Sequence, residues 1–184
     1  MTQRILRLWR ELPNQRPITF ITFNYDLALD YALSHDLASF GGPNYCLPAL
    51  QQSSPVPLLK LHGSINWGYL QVPPTWNKTD YHGELAHVWS RASEELASAE
   101  NIFVLGYSLP ESDSFFRYLY ALGSESSNRI KRFWVFNPDS DGSVQARFRA
   151  MIGRGIEKRF QFIDGESGTF ASAIPQIYEE LRKV

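Results

Sequence analysis

The sequence predicts an α/β fold, a three-layer Rossmann-like open sheet of about five mostly parallel strands with helices on both faces. Three observations carry this prediction. Five short apolar runs recur along the chain, a turn follows each of them, and segments of helical period lie between them. The runs are rich in β-branched and aromatic residues and nearly continuous in hydrophobicity, the pattern of strands covered on both sides rather than of a half-wet antiparallel sheet.

The first run is IleThrPheIleThrPhe at 18–23, and a short helical stripe over 26–34 follows it through Leu27 and Tyr31. LeuLeuLysLeu at 58–61 is the second, reached through a loop at 38–57 that holds GlyGlyProAsn and a GlnGlnSerSerPro run. A second loop at 66–83 contains ProProThrTrpAsnLys, and Leu85, Val88, Trp89, Ala92, Leu96 and Ala99 then fall on one helical stripe. IlePheValLeu at 102–105 precedes a helix at 113–122, and PheTrpValPhe at 133–136 precedes another at 143–152 through Val144, Phe148 and Ile152. PheGlnPheIle at 160–163 is the last run, and a terminal helix through Ile174, Ile177 and Leu181 has Pro175 near its start. Residues 4–12 read as a helix through Ile5, Leu8, Trp9 and Leu12. The aromatic stripes read as core rather than as a ligand platform.

At 184 residues, 43% hydrophobic and 14% aromatic, the chain suits one folded domain spanning 1–184. No apolar run is long enough to cross a bilayer, and the start lacks a signal-peptide core, so a cytoplasmic, membrane-free protein is expected. A net charge of −1 gives no general attraction to nucleic acid, and the basic stretches at 129–133 and 154–160 read as solvated rims. Cys46, the single cysteine, can form neither an internal disulfide nor a thiolate zinc site. His82 and His87 stand five apart, not the four that put two ligands on one helix face, so no metal site is expected. GxGxxG and Walker A loops are absent, and GlyTyrSerLeuPro lacks the second glycine of a serine-nucleophile elbow.

In an open parallel sheet ligands bind beyond the carboxyl ends of the strands. The runs end there in ThrPheAsnTyrAspLeu (22–27), HisGlySer (62–64), GlyTyrSerLeuPro (106–110), AsnProAsp (137–139) and AspGlyGlu (164–166). Each ending has an ordinary explanation. Asn24 or Asp26 can cap a helix, His62 can be a satisfied core histidine beside a turn glycine, Gly63, and Gly106–Ser108 and Asn137-Pro138 can be plain turns.

As an ordered set, however, ThrPheAsnTyrAsp, LysLeuHisGlySer, ProProThrTrpAsnLys, ValLeuGlyTyrSerLeuProGluSerAsp and PheAsnPro resemble the sirtuin-like domains of bacterial NAD-consuming proteins, over residues 18–140. The resemblance implies catalytic roles for His62, Asn24 and Asp26 around nicotinamide and its ribose. It assigns Gly63, Gly106, Tyr107, Ser108 and Asn137 to the rest of the dinucleotide, from phosphate to adenosine ribose. Sirtuin deacylases carry a four-cysteine zinc module after HisGly, whereas residues 65–100 contain no cysteine. The implied activity is therefore NAD hydrolysis to nicotinamide and ADP-ribose, without zinc, in the branch associated with antiphage defence. The alternative is a non-catalytic domain that binds NAD or ADP-ribose or serves assembly. The superfamily opens with a strand and a GlyAlaGly-type phosphate loop, and nothing like them precedes Ile18. In the family's order that strand lies between those matching 18–23 and 102–105. The expectation is thus a domain incomplete at its N-terminus, a contracted sheet, or a sheet completed by a second copy or another chain.

Overall fold

Every one of the five apolar runs contains a strand, and every strand pair among the described residues is parallel. The computed structural model describes residues 17–50, 52–68, 82–110, 129–152 and 155–183. The expected helices at 4–12 and 113–122, and the ProProThrTrpAsnLys segment, lie outside the described residues. Among the described residues the strands form two sheets, one of two strands and one of three. No pairing joins the first strand to the third among the described residues. The chain has two compact units, residues 1–92 and 93–184.

In the first unit, β1 (Phe20–Thr22) pairs with β2 (Leu58–Lys60), Thr22 opposite Lys60. Asn44 bridges to Pro57 in parallel just ahead of β2, so the expected loop at 38–57 carries a piece of ladder as well as a short 3-10 turn at Ala38–Phe40. All three residues of β2 are buried, Lys60 among them although it is a charge inside the apolar run; β1 is half-buried throughout. Helix α1 (Ala28–Asp36) packs Leu33 and, just past its end, Leu37 against Val56 and Leu58. Each such fully buried aliphatic side chain stabilises the unit by roughly 1.5–3 kcal/mol. The stripe through Tyr31 is corrected: Tyr31 is 72% exposed, and the inward position one residue earlier is Asp30, which is buried. A charged partner beneath the helix, described below, reverses the ordinary preference at that position. Helix α1 ends at Leu37, whose N–H donates to Leu33 O at 2.8 Å, and the 3-10 turn after it stops at Gly41, at φ 76°, a left-handed ending that a side chain would resist. In α2 (His82–Ser98) the predicted stripe faces inward, with Leu85, Val88, Ala92 and Leu96 buried.

In the second unit, β3 (Asn101–Leu105), β4 (Arg132–Phe136) and β5 (Phe160–Ile163) pair in that order. Strand β3 alternates half-buried and buried residues, so only one of its faces is fully covered. Phe133 sits at the centre of the aromatic packing, 6.4 Å from Phe148 of α3 (Ser143–Met151) and 5.7 Å from Phe160 between ring centroids. These separations lie in the range that favours aromatic pairs. Helix α4 (Phe170–Arg182) starts a turn earlier than the position of Pro175 suggests. Thr169 supplies the cap, its Oγ1 accepting from Ser172 N, and Pro175 is tolerated inside the helix at the loss of one N–H donor. Arg132 ties three elements together, donating from Nε to Glu180 of α4 at 3.0 Å and from Nη1 to Asn101 of β3 at 3.0 Å. Among the described residues no helix is long and apolar enough to cross a membrane. The fold class is α/β with parallel sheets.

Candidate functional site

The carboxyl ends of β1 and β2 are knitted into one structure. Leu61 N donates to Thr22 O at 3.0 Å, and four residues on Ile65 N donates to Tyr25 O at 3.1 Å. Ser64 Oγ donates to the same Tyr25 carbonyl at 3.4 Å. Asn24 and His62 therefore each stand two residues beyond the last paired position of neighbouring strands. His62 is only 3% exposed. Its ring lies 5.4 Å from that of Phe23 and 5.9 Å from that of Tyr25, the residues on either side of Asn24. Trp89 of α2 completes the surroundings at 6.5 Å, held by its own Nε1–H, which donates to Leu61 O at 3.0 Å. Gly63, at φ 83°, turns the chain immediately after His62, and its N–H closes onto Lys60 O at 3.1 Å.

Asn24 and Asp26, by contrast, are exposed. Asn24 caps no helix, since α1 begins four residues later; its backbone N–H donates to Thr22 Oγ1 at 3.1 Å. Asp26 does have the ordinary role, Oδ1 accepting from Ala28 N at 2.9 Å and opening α1. That bond turns the carboxylate toward the helix start, where the N-terminal partial charge favours it.

A buried ion pair lies beneath the same turn. Lys60, fully buried, donates from Nζ to Asp30 Oδ2 at 2.8 Å, to Asp26 O at 2.6 Å and to Tyr25 O at 3.5 Å. The other oxygen of Asp30 accepts from Tyr45 Oη at 2.8 Å. Burial, and then the neighbouring carboxylate, push the Tyr45 phenol well above its ordinary pKa, so it stays protonated and donating.

In the second unit the loop after β3 carries Gly106, Tyr107 and Ser108. Gly106, at φ 67°, donates its N–H to Phe136 O at 2.9 Å, and Leu109, buried, also takes a positive φ of 50°. Two side chains pin this loop. Asn137 donates from Nδ2 to Tyr107 O at 3.3 Å, and Arg147 of α3 donates from Nε to Ser108 O at 3.0 Å. Asn137 is buried, and its own N–H continues the β4–β5 ladder to Ile163 O at 3.1 Å. The start of α3 is occupied by the chain's own carboxylates: Asp139 accepts from Gln145 N at 3.0 Å and Asp141 from Ser143 N at 2.9 Å. Hydrogen bonds from Ser143, its backbone N–H first, hold the Asp141 carboxyl below the usual range.

The expected site residues thus fall into two groups. Asn24, Asp26, His62 and Gly63 are gathered at one pair of strand ends in the first unit, and Gly106, Tyr107, Ser108 and Asn137 at another pair in the second. Lys60, Asp30, Tyr45, Trp89 and Arg147 are additional residues around these groups. Of these Lys60 had a signal, as a charge inside an apolar run, whereas Asp30, Tyr45 and Arg147 are joined to the site only through long-range folding. Among the described residues no group of three or more His, Cys, Asp or Glu could hold a metal ion. A family profile described as "SIR2-like domain" matches residues 18–155, well over half of the chain and a span that includes the eight expected site residues. Neither the curated proteins nor the solved structures contain a match.

Proposed function

The chain belongs to the SIR2-like domain family, and from that premise we propose that it is an NAD glycohydrolase, cleaving NAD with water into nicotinamide and ADP-ribose. One observation carries the reading: a histidine 3% exposed at the end of β2, its ring packed against both neighbours of an exposed asparagine at the end of β1. In the reaction the bond from ribose C1′ to the pyridinium nitrogen breaks. The electron pair leaves with nicotinamide, and C1′ becomes oxocarbenium-like before water adds and gives up a proton. The Asn24 amide holds that water, and the His62 imidazole acts as base toward the ribose hydroxyl side. Asp26 binds the carboxamide or offsets the developing positive charge. Gly63 leaves room at the turn, Gly106, Tyr107 and Ser108 take the diphosphate, and Asn137 the adenosine ribose. No zinc is required. The setting proposed is the bacterial cytoplasm, where depletion of the dinucleotide acts in antiphage defence.

Supplied NAD should yield nicotinamide. His62→Ala and Asn24→Ala should each lower kcat by about 100-fold or more, with the circular dichroism spectrum retained. Unchanged turnover in both variants removes the mechanism. A second reading is a non-catalytic domain that binds NAD or ADP-ribose, or assembles with a second copy or another chain. It is favoured by the local hydrogen bonds that already engage Asp26 and Asn137. Calorimetric binding of ADP-ribose without any release of nicotinamide selects it.

A further inference from the structure

We infer that Lys60 is a positioning residue for the Asn24–Asp26 turn, holding it against the end of β2 through the Tyr25 and Asp26 carbonyls, with Asp30 and Tyr45 fixing the ammonium in place. The inference deepens the glycohydrolase reading and rests on it for its catalytic consequence.

Lys60 is the last residue of β2 and lies two positions before His62. Its side chain is fully buried, a costly state for an ammonium unless every proton finds an acceptor. The three donors of an ammonium meet three acceptors here: Asp30 Oδ2 at 2.8 Å, Asp26 O at 2.6 Å and Tyr25 O at 3.5 Å. Only the first is the counter-charge. The other two belong to the turn that carries Asn24 and Asp26 outward. The Tyr25 carbonyl is also the acceptor for Ile65 N, so the ammonium and the segment after His62 grip the same peptide group. Replacing the pair with apolar residues is often neutral for stability, so stability alone is a weak reason for it; what an apolar pair cannot supply is two donors to this turn. Tyr45 contributes at one remove. Its hydroxyl donates to Asp30 Oδ1 at 2.8 Å, and its backbone N–H is held in turn, donating to Gln52 Oε1 at 2.8 Å.

Three variants of the full chain separate tethering from charge balance. Asp30→Asn removes the counter-charge and keeps the tethers. Lys60→Met removes the tethers and strands the carboxylate, and Lys60→Met with Asp30→Asn removes both. Thermal stability should follow charge balance, lowest in the Lys60→Met single variant and partly restored in the double. Order in the turn should instead follow Lys60. Amide hydrogen exchange at Ile65 and Ala28 should quicken about tenfold or more in both Lys60→Met proteins, with Leu61, in the strand ladder, much less affected. In both, kcat for nicotinamide release should fall about 10- to 100-fold with KM within about threefold. Exchange and turnover that track the melting temperature across the three variants, or a double variant with wild-type exchange at Ile65, overturn the inference. If the wild-type chain releases no nicotinamide, the glycohydrolase reading fails, and the exchange pattern alone still decides whether Lys60 holds the turn.

Discussion

Gly168 sits at the end of a short 3-10 segment (Gly165–Gly168), buried against the carboxyl ends of β4 and β5. An added Cβ would lie 2.6 Å from Asn137 O and 2.8 Å from Asn137 C, and closer still to Ile163 O. Comfortable carbon contacts begin near 3.5 Å, so Gly168→Ala forces a displacement of roughly 1 Å. The obstructing atoms are backbone, and Asn137 N–H donates to Ile163 O at 3.1 Å between the same two residues. Overpacking costs about 1–3 kcal/mol and weakening that buried bond about 1 kcal/mol more, against a gain of about 0.4–1 kcal/mol from the stiffer unfolded chain. The net expectation is a loss of about 1–3 kcal/mol, measured as the shift in the urea midpoint at constant m-value. Gly83 in α2 is the control, because a Cβ added there would meet nothing within 4 Å. Gly83→Ala should be neutral or stabilising by up to about 1 kcal/mol. The KM for NAD should rise only in the Gly168 variant, through Asn137. A Gly168→Ala protein as stable as wild type refutes the close-approach argument.

Tyr45→Phe removes a donor from the buried Asp30 carboxylate, and urea unfolding should show a loss of about 1.5–3 kcal/mol. Glu180 has its folded-state pKa lowered, by the Lys183 hydrogen bond first and Arg132 next. Its contribution is therefore complete above the unfolded glutamate pKa and fades as pH falls toward the folded value. Melting temperatures taken between neutral pH and the acid limb should show a shallower acid decline in Glu180→Gln than in wild type. Asn137→Asp replaces the donor to Tyr107 O by an acceptor in a buried position, and should lower stability by about 1–3 kcal/mol while raising the KM for NAD.

Much of the fold was legible because it depends on local pattern. The apolar runs located all five described strands, and the spacing of Leu85, Val88, Ala92 and Leu96 identified the buried face of α2. The period failed in α1, where Tyr31 faces solvent and Asp30 faces the core. The failure has one cause. A buried aspartate needs partners for its oxygens, and here Lys60 lies thirty residues away in sequence and Tyr45 fifteen, beyond the reach of the helical period. The division into sheets of two and three strands was also out of reach of pattern, because periodicity locates strands and says nothing of which edges pair. At the candidate site, strand endings supplied the expected residues, but not that His62 would be buried while Asn24 and Asp26 would be exposed.

That difference in exposure bears on how ordinary and functional roles coexist. Asp26 opens α1 and Asn137 holds Tyr107 O, the duties expected of cap and turn residues. Neither bond uses up the residue. A carboxylate has two oxygens and about four acceptor positions, and an asparagine amide keeps an acceptor and a second N–H when one donor is engaged. The local bond fixes the side chain's direction before a ligand arrives, which lowers the ordering cost of binding. The same logic applies to the Gly106–Ser108 loop, whose carbonyls at Tyr107 and Ser108 are each held by a side chain. With those carbonyls fixed by Asn137 and Arg147, the orientation of the intervening peptide N–H is set as well, because the peptide unit is planar. A loop ordered beforehand in this way would lose little further freedom on meeting a ligand, so the structural role of Asn137 does not compete with the binding role proposed for its neighbours.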